Sequence, residues 1–400
     1  MRLLFIAGGF TPPGGIESFI YSLLPMLVSR GHSVSLLCWG PHNQLLDEMT
    51  RSGVDVRRQP FRWGCRASAP DLVLLARHGM VQVLKHDVVI FTKMPPASLL
   101  WSLRRIAGSG KHRPFIYVTA YRPSEIWSPA RPAASTLNIF DSIIAQTSGF
   151  SEELREYGYR GVVETIPLIP PKPIMPHPFP DGGHCLRLGF LGRLVPQKNL
   201  VYLLDAFEHL VAGRAGACSE PVSWELHLFG EGPTKQELES AAAARGLESR
   251  VHFHGAVPHD AVAAAIDQCH LFAFSSVSEG QCLAALEILS RGRPIVATPV
   301  GAFPEFLTAP ELGQLAPPDN AALFAQTLHQ VGLHLRQGRL TPLAVQRRFA
   351  SLFSHDEIID KYCLLLAGES VGGSLPMNFA TPSDSHRHAI SGCRTERETS

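Results

Sequence analysis

The sequence predicts an α/β protein made of two Rossmann-like lobes, each built on a parallel β-sheet. The chain has 400 residues, a length that suggests about two domains of ordinary size. Short β-rich runs alternate with amphipathic helical runs in two separate series, which is typical of parallel sheets that carry helices on their faces. A proline-rich segment separates the two series, so we predict one lobe on each side of it.

The first series covers residues 1–166 and predicts the N-terminal lobe. Amphipathic runs such as 16–30 and 97–106 lie between its β-rich runs, which makes the arrangement βαβα. The predicted strands are 3–7, 33–38, 54–57, 88–91, 115–118 and 142–145.

The connection between the lobes is predicted from its proline content. Seven of the fourteen residues at 167–180 are proline. Proline lacks a backbone N–H and has a fixed φ, so this content excludes helix and sheet. We therefore predict a semi-rigid, extended linker at 167–183.

The second series, residues 184–350, predicts the C-terminal lobe. Residues 351–368 contain a predicted final helix that opens with the capping residue Ser354. Residues 369–400 have almost no apolar periodicity and predict a disordered tail. The predicted elements of the second lobe are strands 186–191, 225–229, 251–253, 271–274 and 294–298 and helices 200–211, 234–244 and 261–269.

Composition restricts the cellular setting. The chain is 45% hydrophobic and 18% charged, and no run reaches the ~18 uninterrupted apolar residues that a membrane span needs. The N-terminal apolar run breaks at glycine and proline before a signal peptide could form. The eight cysteines have no paired spacing for a zinc site or a disulfide framework. We expect a cytoplasmic protein with no nucleic-acid partner.

Two glutamates, Glu279 and Glu287, mark the most informative stretch of the chain. They stand in a predicted loop and in the helix that it enters, just before a buried strand. The N-terminus of a helix offers unpaired N–H groups and a partial positive charge, so a diphosphate can bind there. Carboxylates suit sugars because each has several acceptor sites for hydroxyl groups.

Two cations, Arg193 and Lys198, follow the first strand of the second lobe and precede its first helix. In a doubly wound sheet this turn lies at the carboxyl edge, where ligands bind. A guanidinium fork and an ammonium charge together suit the oxygens of a diphosphate. The alternative is a pair of solvated loop cations.

Three glycine turns lie at the carboxyl ends of predicted strands. Gly14 and Gly15 follow the first strand, Gly230 follows strand 225–229, and His254 with Gly255 follows strand 251–253. Glycines allow the backbone to approach a ligand closely, although a simple tight turn uses them too. None of these turns has the G-x-G-x-x-G spacing, which disfavours an NAD-dependent enzyme.

Taken in order, these motifs resemble the retaining family 4 glycosyltransferases over about residues 3–367. The resemblance implies the GT-B fold, in which two Rossmann-like lobes face each other across a cleft and the last helix returns to the first lobe. It implies that Arg193 and Lys198 hold the donor diphosphate, that Glu279 binds the transferred sugar and that Glu287 binds the ribose. It also implies a reaction without metal or other cofactor. The implied donor-binding residues are Gly14, Gly15, Gly230, His254, Gly255, Gly280, Gln281, Cys282, Leu283 and Glu287.

The chain departs from the family pattern at two places. Gln281 and Cys282 stand where the family usually has Phe-Gly, so donor identity stays open. Many members also carry a His-Asp pair after the fifth strand of the first lobe, where this chain has Tyr121 and Arg122. Either these two side chains take that role on the acceptor side or the chain is weakened as a catalyst.

Our leading hypothesis is a hexosyltransferase that uses a UDP- or GDP-sugar donor and a glycan or lipid-linked acceptor in cell-surface polysaccharide or glycolipid synthesis. Segments 57–63 and 101–105 mix arginine with aromatic residues, which suits peripheral contact with the inner face of the plasma membrane. Solvated surface segments would look the same. The alternative function is a non-catalytic sugar-nucleotide-binding or assembly protein of the same fold.

Overall fold

The computed structural model contains two parallel sheets, one in each half of the chain. The N-terminal sheet has the strand order β3-β2-β1-β4-β5-β6-β7, and the C-terminal sheet has the order β10-β9-β8-β11-β12-β13. The residues that the structure describes are 1–9, 15–59, 79–108, 112–119, 134–169, 176–181, 185–213 and 222–369.

The strands of the two sheets are as follows. The first sheet contains β1 (Arg2–Gly9), β2 (Ser33–Trp39), β3 (Asp55–Gln59), β4 (Val88–Phe91), β5 (Phe115–Thr119), β6 (Ser142–Ala145) and β7 (Val162–Thr165). The second contains β8 (Cys185–Leu191), β9 (Ser223–Phe229), β10 (Val251–Gly255), β11 (Leu271–Phe274), β12 (Ile295–Ala297) and β13 (Gly313–Leu315).

The helices lie between these strands and after the second sheet. They are α1 (Gly15–Ser29), α2 (Gln44–Arg51), α3 (Ala97–Ala107), α4 (Ala134–Leu137), α5 (Ser148–Glu156), α6 (Leu200–Val211), α7 (Lys235–Ala244), α8 (Val262–Asp267), α9 (Leu283–Ser290), α10 (Phe303–Phe306), α11 (Ala321–Arg336), α12 (Pro342–Leu352) and α13 (His355–Ala367). Among the described helices, none combines the length and the apolar character that crossing a bilayer requires.

The central strands are buried on both faces, as parallel sheets covered by helices must be. In β1, Leu3 and Phe5 belong to one core cluster while Leu4 and Ile6 belong to the other, on the opposite face of the sheet. This explains why such strands read as continuous apolar runs. The α/β prediction with two Rossmann-like lobes is confirmed.

The strands that the sequence analysis missed are short and lie at sheet edges. β7 has four residues and its side chains are half-buried or exposed, while β13 has three residues and begins at a glycine. Helices α11 and α12 were also not assigned. Both carry clear start signals, because the side chains of Asn320 and Thr341 cap their first turns.

The final helix returns to the first lobe, as predicted. The Ser354 hydroxyl accepts a hydrogen bond from the backbone N–H of Glu357 at 3.3 Å, which makes it the cap. The ring of Tyr362 lies 6.1 Å from that of Phe19 on α1, and Arg30 forms ion pairs with Asp356 and Asp360. The predicted tail at 369–400 lies outside the described residues apart from its first residue.

The described parts of the proline-rich segment have neither helix nor strand. Residues 176–181 lie along the second lobe, where the buried Arg293 guanidinium donates to the carbonyl oxygens of His177 and Pro178 at 2.8 Å each. Arg293 also lies over the Phe179 ring, 5.0 Å from its centre. Burial lowers the pKa of Arg293 to about 10, and Asp267 supports its charge. The segment is therefore held by a buried cation.

We predict that Gly332→Ala destabilises the second lobe. A Cβ at this position in α11 would lie 2.5 Å from the buried Trp224 ring and 2.8 Å from Leu186. Overpacking of this kind costs about 1–3 kcal/mol, which outweighs the ~1 kcal/mol that alanine gains over glycine in a helix. The measurement is the midpoint of urea-induced unfolding.

The matched control is Gly149→Ala in α5, where an added Cβ has no neighbour within 4 Å. It should be neutral or stabilising by up to about 1 kcal/mol. Equal midpoints for both variants would contradict the packing account.

Candidate active site

Two loops of the second lobe meet because the strands before them are neighbours. β8 pairs with β11 in parallel, so loops 192–199 and 275–282 leave the sheet at the same edge. The Ser275 hydroxyl donates to the backbone carbonyls of Lys198 at 2.9 Å and Asn199 at 3.0 Å. The backbone N–H of Val277 donates to the Gln197 carbonyl at 3.0 Å. These bonds hold the predicted cation and carboxylate motifs side by side.

The centre of this junction is an ion pair between Lys198 and Glu279. The Lys198 Nζ lies 2.5 Å from Glu279 Oε1, and the Ser276 hydroxyl donates to the same oxygen at 2.6 Å. The Glu279 residue is only 5% exposed. Burial opposes the charge of Lys198, but the Cys282 sulfur and the Glu279 carboxylate outweigh it and raise its pKa. Lys198 is therefore a fixed positive charge in a largely dehydrated site.

Arg193 lies near this pair with its side chain exposed. Its positive charge partly opposes the rise in the pKa of Lys198. Among the described residues, Arg193 makes no hydrogen bond or ion pair. The junction thus brings two cations near one carboxylate, an excess of positive charge that favours an anionic ligand.

The helix after Glu279 begins at Leu283, so Glu279 lies in the loop before it. Cys282 is the N-cap residue and has φ +56°, a left-handed conformation that glycine adopts without strain. This explains why the related family usually has glycine at that position. Gln281 is 3% exposed, and its side chain accepts a hydrogen bond from the backbone N–H of Leu168 in the predicted linker. The Gln281 side chain is therefore occupied within the protein.

Gly15 and Leu283 bring the two lobes together at the start of α9. A Cβ added to Gly15 would lie 3.7 Å from Leu283 Cδ1, so the first residue of α1 approaches this helix. The Gly280 carbonyl accepts a hydrogen bond from the Ala302 N–H at 3.0 Å, which fixes the loop before α9. The structure thus places Gly15, Gly280 and Leu283 around one helix end.

Glu287 lies on the second turn of α9. Burial raises the pKa of its carboxyl group to about 7. Among the described residues it forms no ion pair or hydrogen bond through its side chain. Glu287 is half-buried, and a partly buried carboxyl group without a compensating partner is a feature of ligand-binding sites, because ligand hydroxyls can satisfy it.

Gly230, His254 and Gly255 lie at the neighbouring strand ends of the same sheet. The Gly230 N–H donates to the Gly255 carbonyl at 2.8 Å, and Gly230 has φ +148°. A Cβ on Gly230 would lie 1.8 Å from the Gly192 carbonyl oxygen, so only glycine fits between these turns. The exposed His254 ring stacks on Phe229 with 4.3 Å between ring centres. Burial lowers the pKa of His254, which leaves a neutral ring at the edge.

Three predicted site residues lie outside the described residues. They are Gly14, which precedes α1 in the sequence, and Tyr121 and Arg122, which follow β5 in the sequence. Their roles stay predictions.

The structure shows a first-lobe cluster that the sequence analysis missed. Lys93 follows β4, and its Nζ lies 5.4 Å from the centre of the Trp39 ring. A Cβ on Gly8 would lie 3.7 Å from Glu17 Oε1 and 3.8 Å from both Lys93 and Trp39. Lys93 follows a strand of a parallel sheet, as Arg193 does. A search for cations at the carboxyl ends of the predicted strands could therefore have found it.

A contact between the lobes was also missed. Glu305 on α10 accepts hydrogen bonds from the backbone N–H of Ser148 at 2.9 Å and from its hydroxyl at 2.8 Å. Burial raises the pKa of Glu305, while these bonds oppose the rise. The N-terminus of α5 is thus bound to the second lobe.

Comparison with known proteins agrees with this architecture. Residues 13–169 match the family described as Glycosyltransferase Family 4, and residues 185–332 match the family described as Glycosyl transferases group 1. A phosphatidylinositol N-acetylglucosaminyltransferase subunit of Arabidopsis thaliana is 40% identical over 342 residues, which are 80% of this chain and 72% of the relative. The human protein of the same name is 24% identical over 312 residues, 74% of this chain. The alignment spans only 61% of the human relative's length.

A solved structure shows the same fold. The Anabaena protein HepE, in complex with UDP and glucose, superimposes with a TM-score of 0.68 at 18% identity. The match covers 92% of this chain and all of that structure. Two facing Rossmann-like lobes with a returning C-terminal helix therefore define a GT-B glycosyltransferase fold. The family matches and the Arabidopsis relative show that this chain belongs to the group 1, family 4 glycosyltransferases.

We predict that Glu279→Gln lowers the free energy of unfolding by about 3–5 kcal/mol, because removing one partner leaves a buried charge unpaired. The matched control is Glu231→Gln. Glu231 pairs with Lys235 at 2.8 Å on the exposed surface, where the loss should stay below about 1 kcal/mol. Urea unfolding at neutral pH measures both. Similar losses would show that Lys198 and Glu279 are solvated.

We predict that Glu287→Gln stabilises the unliganded protein at a pH above 7. The carboxyl pKa is raised from 4.5 to about 7 by burial, so its stabilising, protonated form is lost as the pH rises through 7. Glutamine stays neutral, so the gain above pH 7 should be about 3 kcal/mol and should shrink to nothing below pH 4.5.

The measurement is thermal denaturation of both proteins across this pH range. The control is Glu239→Gln, at an exposed position of α7. It should leave the stability unchanged both above pH 7 and below pH 4.5. A pH-independent gain at position 287 would exclude titration as the cause.

Proposed function

We propose that this chain transfers a hexose-type sugar, with retention of anomeric configuration, from a UDP- or GDP-sugar to a glycan or lipid-linked acceptor. The reaction would serve cell-surface polysaccharide or glycolipid synthesis. The observation that carries the proposal is the buried Lys198–Glu279 pair, with Arg193 nearby, in the loops that face the start of α9.

The two cations suit the leaving diphosphate. When the bond between the sugar and the phosphate oxygen breaks, negative charge accumulates on the diphosphate. Lys198 and Arg193 would stabilise that charge, and the N-terminal amides of α9 would add to it. This role for side-chain cations is why we propose transfer that needs no metal ion.

The two carboxyl groups suit the sugar and the ribose. Glu279 uses one oxygen for Lys198 and Ser276, and a carboxylate has about four acceptor sites in all, so a sugar hydroxyl can donate to the rest. Glu287 would accept hydrogen bonds from ribose hydroxyls. These bonds would also compensate the burial that raises its pKa.

Retention requires that the acceptor oxygen reach the anomeric carbon from the face that the diphosphate leaves. In that step the bond from the acceptor oxygen to the anomeric carbon forms as the bond to the phosphate oxygen breaks. The acceptor proton passes to the departing diphosphate, which Lys198 and Arg193 hold in place. No covalent bond to the protein is needed.

The relatives favour a UDP-type donor and a lipid-linked acceptor. HepE was solved with UDP and glucose, and the Arabidopsis and human relatives carry the name phosphatidylinositol N-acetylglucosaminyltransferase. On the first lobe, Trp101 is 54% exposed and lines a cavity of about 410 Å³ with Arg105. Arg104 is bound to Asp141 at 2.7 Å, so Trp101 and Arg105 are the residues of this segment that we propose for peripheral membrane contact.

A second candidate is a sugar-nucleotide-binding protein without transferase activity. Cys282 holds a strained conformation next to the proposed sugar site, and Gln281 is tied to the linker segment. Donor binding without turnover on lipid and glycan acceptors would favour this candidate.

We predict that Lys198→Met lowers kcat by about 100- to 1000-fold, the usual loss when one group that stabilises transition-state charge is removed. Lys235→Met, which removes an exposed paired lysine, is the control and should retain wild-type turnover. Donors are first ranked by thermal shift with UDP- and GDP-sugars, and product configuration is read by NMR. Wild-type turnover in Lys198→Met would reject the site, and an inverted product would reject retention.

A further inference from the structure

One face of the edge of the second sheet carries a cluster of histidines and a glutamate. Glu225 and His227 alternate along β9, so both side chains point to the same face. His252 on β10 is the direct cross-strand partner of His227. Because such partners lie close together, the strand register alone assembles this group from residues that are 25 positions apart in sequence.

The cluster has the dimensions of a metal site. One ligand atom each from Glu225, His227 and His252 lies within 4.8 Å of the other two. His227 Nε2 is 3.5 Å from Glu225 Oε2, and the ring centres of His227 and His252 are 4.8 Å apart. A zinc ion with bonds of about 2.0–2.2 Å to nitrogen and oxygen fits after side-chain shifts of roughly 1 Å.

One nitrogen in this cluster lacks a hydrogen-bond partner although it is buried. His227 is 9% exposed, and its Nε2 makes no hydrogen bond. Its Nδ1 lies 2.9 Å from His254 Nε2. A metal-binding histidine characteristically donates its other ring N–H to an acceptor. This hydrogen bond fixes the tautomer in which the metal-binding nitrogen carries a lone pair. In the tautomer in which His227 donates its Nδ1–H to His254, the Nε2 lone pair of His227 faces the Glu225 carboxylate.

In that tautomer the buried Nε2 lone pair of His227 faces the half-exposed carboxylate of Glu225, and a cation between the two acceptors would remove their repulsion. We propose that Glu225, His227 and His252 bind a divalent transition-metal ion of the zinc class. Imidazole and carboxylate ligands suit Zn²⁺, and a water molecule would complete the tetrahedron. Arg187 Nε lies 3.7 Å from Glu225 Oε2 and competes for that oxygen, but the carboxylate has a second one.

The ion would be structural. It would join β10, the edge strand, to β9, and would hold the turn that carries His254 and Gly255. It therefore differs from an ion bound to the donor diphosphate, and the proposal stands independently of the sugar-transfer reaction.

The test uses the full-length chain, stripped of metal with a chelator and titrated with ZnCl₂ against a chromophoric zinc indicator. The ligand variants are His252→Ala, at a half-buried position of an edge strand, and Glu225→Gln. The control is His42→Ala, because His42 is an exposed histidine that also contacts a carboxylate, Asp47 at 2.8 Å. The chain has 18 histidines, so the difference between variants decides the outcome.

We expect the wild type and His42→Ala to bind one ion with micromolar or higher affinity. Both ligand variants should bind at least about 10- to 100-fold more weakly. Zinc should raise the melting temperature of the wild type through preferential binding to the native state, and this rise should vanish in His252→Ala. Wild-type affinity in both ligand variants, or a wild type that takes up no ion at micromolar zinc, would overturn the proposal.

Discussion

The proposed site depends on one topological constraint, the adjacency of β8 and β11 in the second sheet. Strand order reverses at this point, so the loops that follow the two strands leave side by side with no helix between them. Lys198 and Glu279 belong to those two loops and lie 81 residues apart in sequence. Hydrogen bonds from Ser275 and Gln197 then fix the loops to each other. Without this strand order, the cation and the carboxylate would remain unrelated surface charges.

The site stores unfavourable free energy that a ligand could release. The Glu287 carboxyl group has no compensating partner among the described residues, and burial raises its pKa to about 7. Cys282 holds a left-handed conformation that costs about 1–3 kcal/mol for a residue other than glycine. Proteins tolerate such local violations mainly where function requires them, because the surrounding core supplies the missing stability. Here the strands and helices around the junction contribute many fully buried side chains.

The two lobes are joined near the same place by polar contacts and by the chain itself. Gln281 binds the backbone of Leu168, and Glu305 binds the N-terminus of α5 at Ser148. Both acceptors come from the second lobe: Gln281 lies in the loop before α9, and Glu305 lies on α10, which follows β12. The final helix adds a third connection through Tyr362 and Phe19. Movement between the lobes would therefore act directly on the loop that precedes α9.

The sequence by itself determined the fold class and the central strands, because these depend on local periodicity, and its short spacings singled out the residues that we propose for the donor site. Burial on both faces makes β1 or β4 a continuous apolar run, and the proline content marks the linker. Only the tertiary structure decided which side chains meet. Three contacts join positions that are distant in sequence. They are the ion pair of Lys198 with Glu279, the hydrogen bond from Leu168 to Gln281 and the cross-strand pairing of His227 with His252. Such contacts follow from strand order and register, which no local pattern encodes.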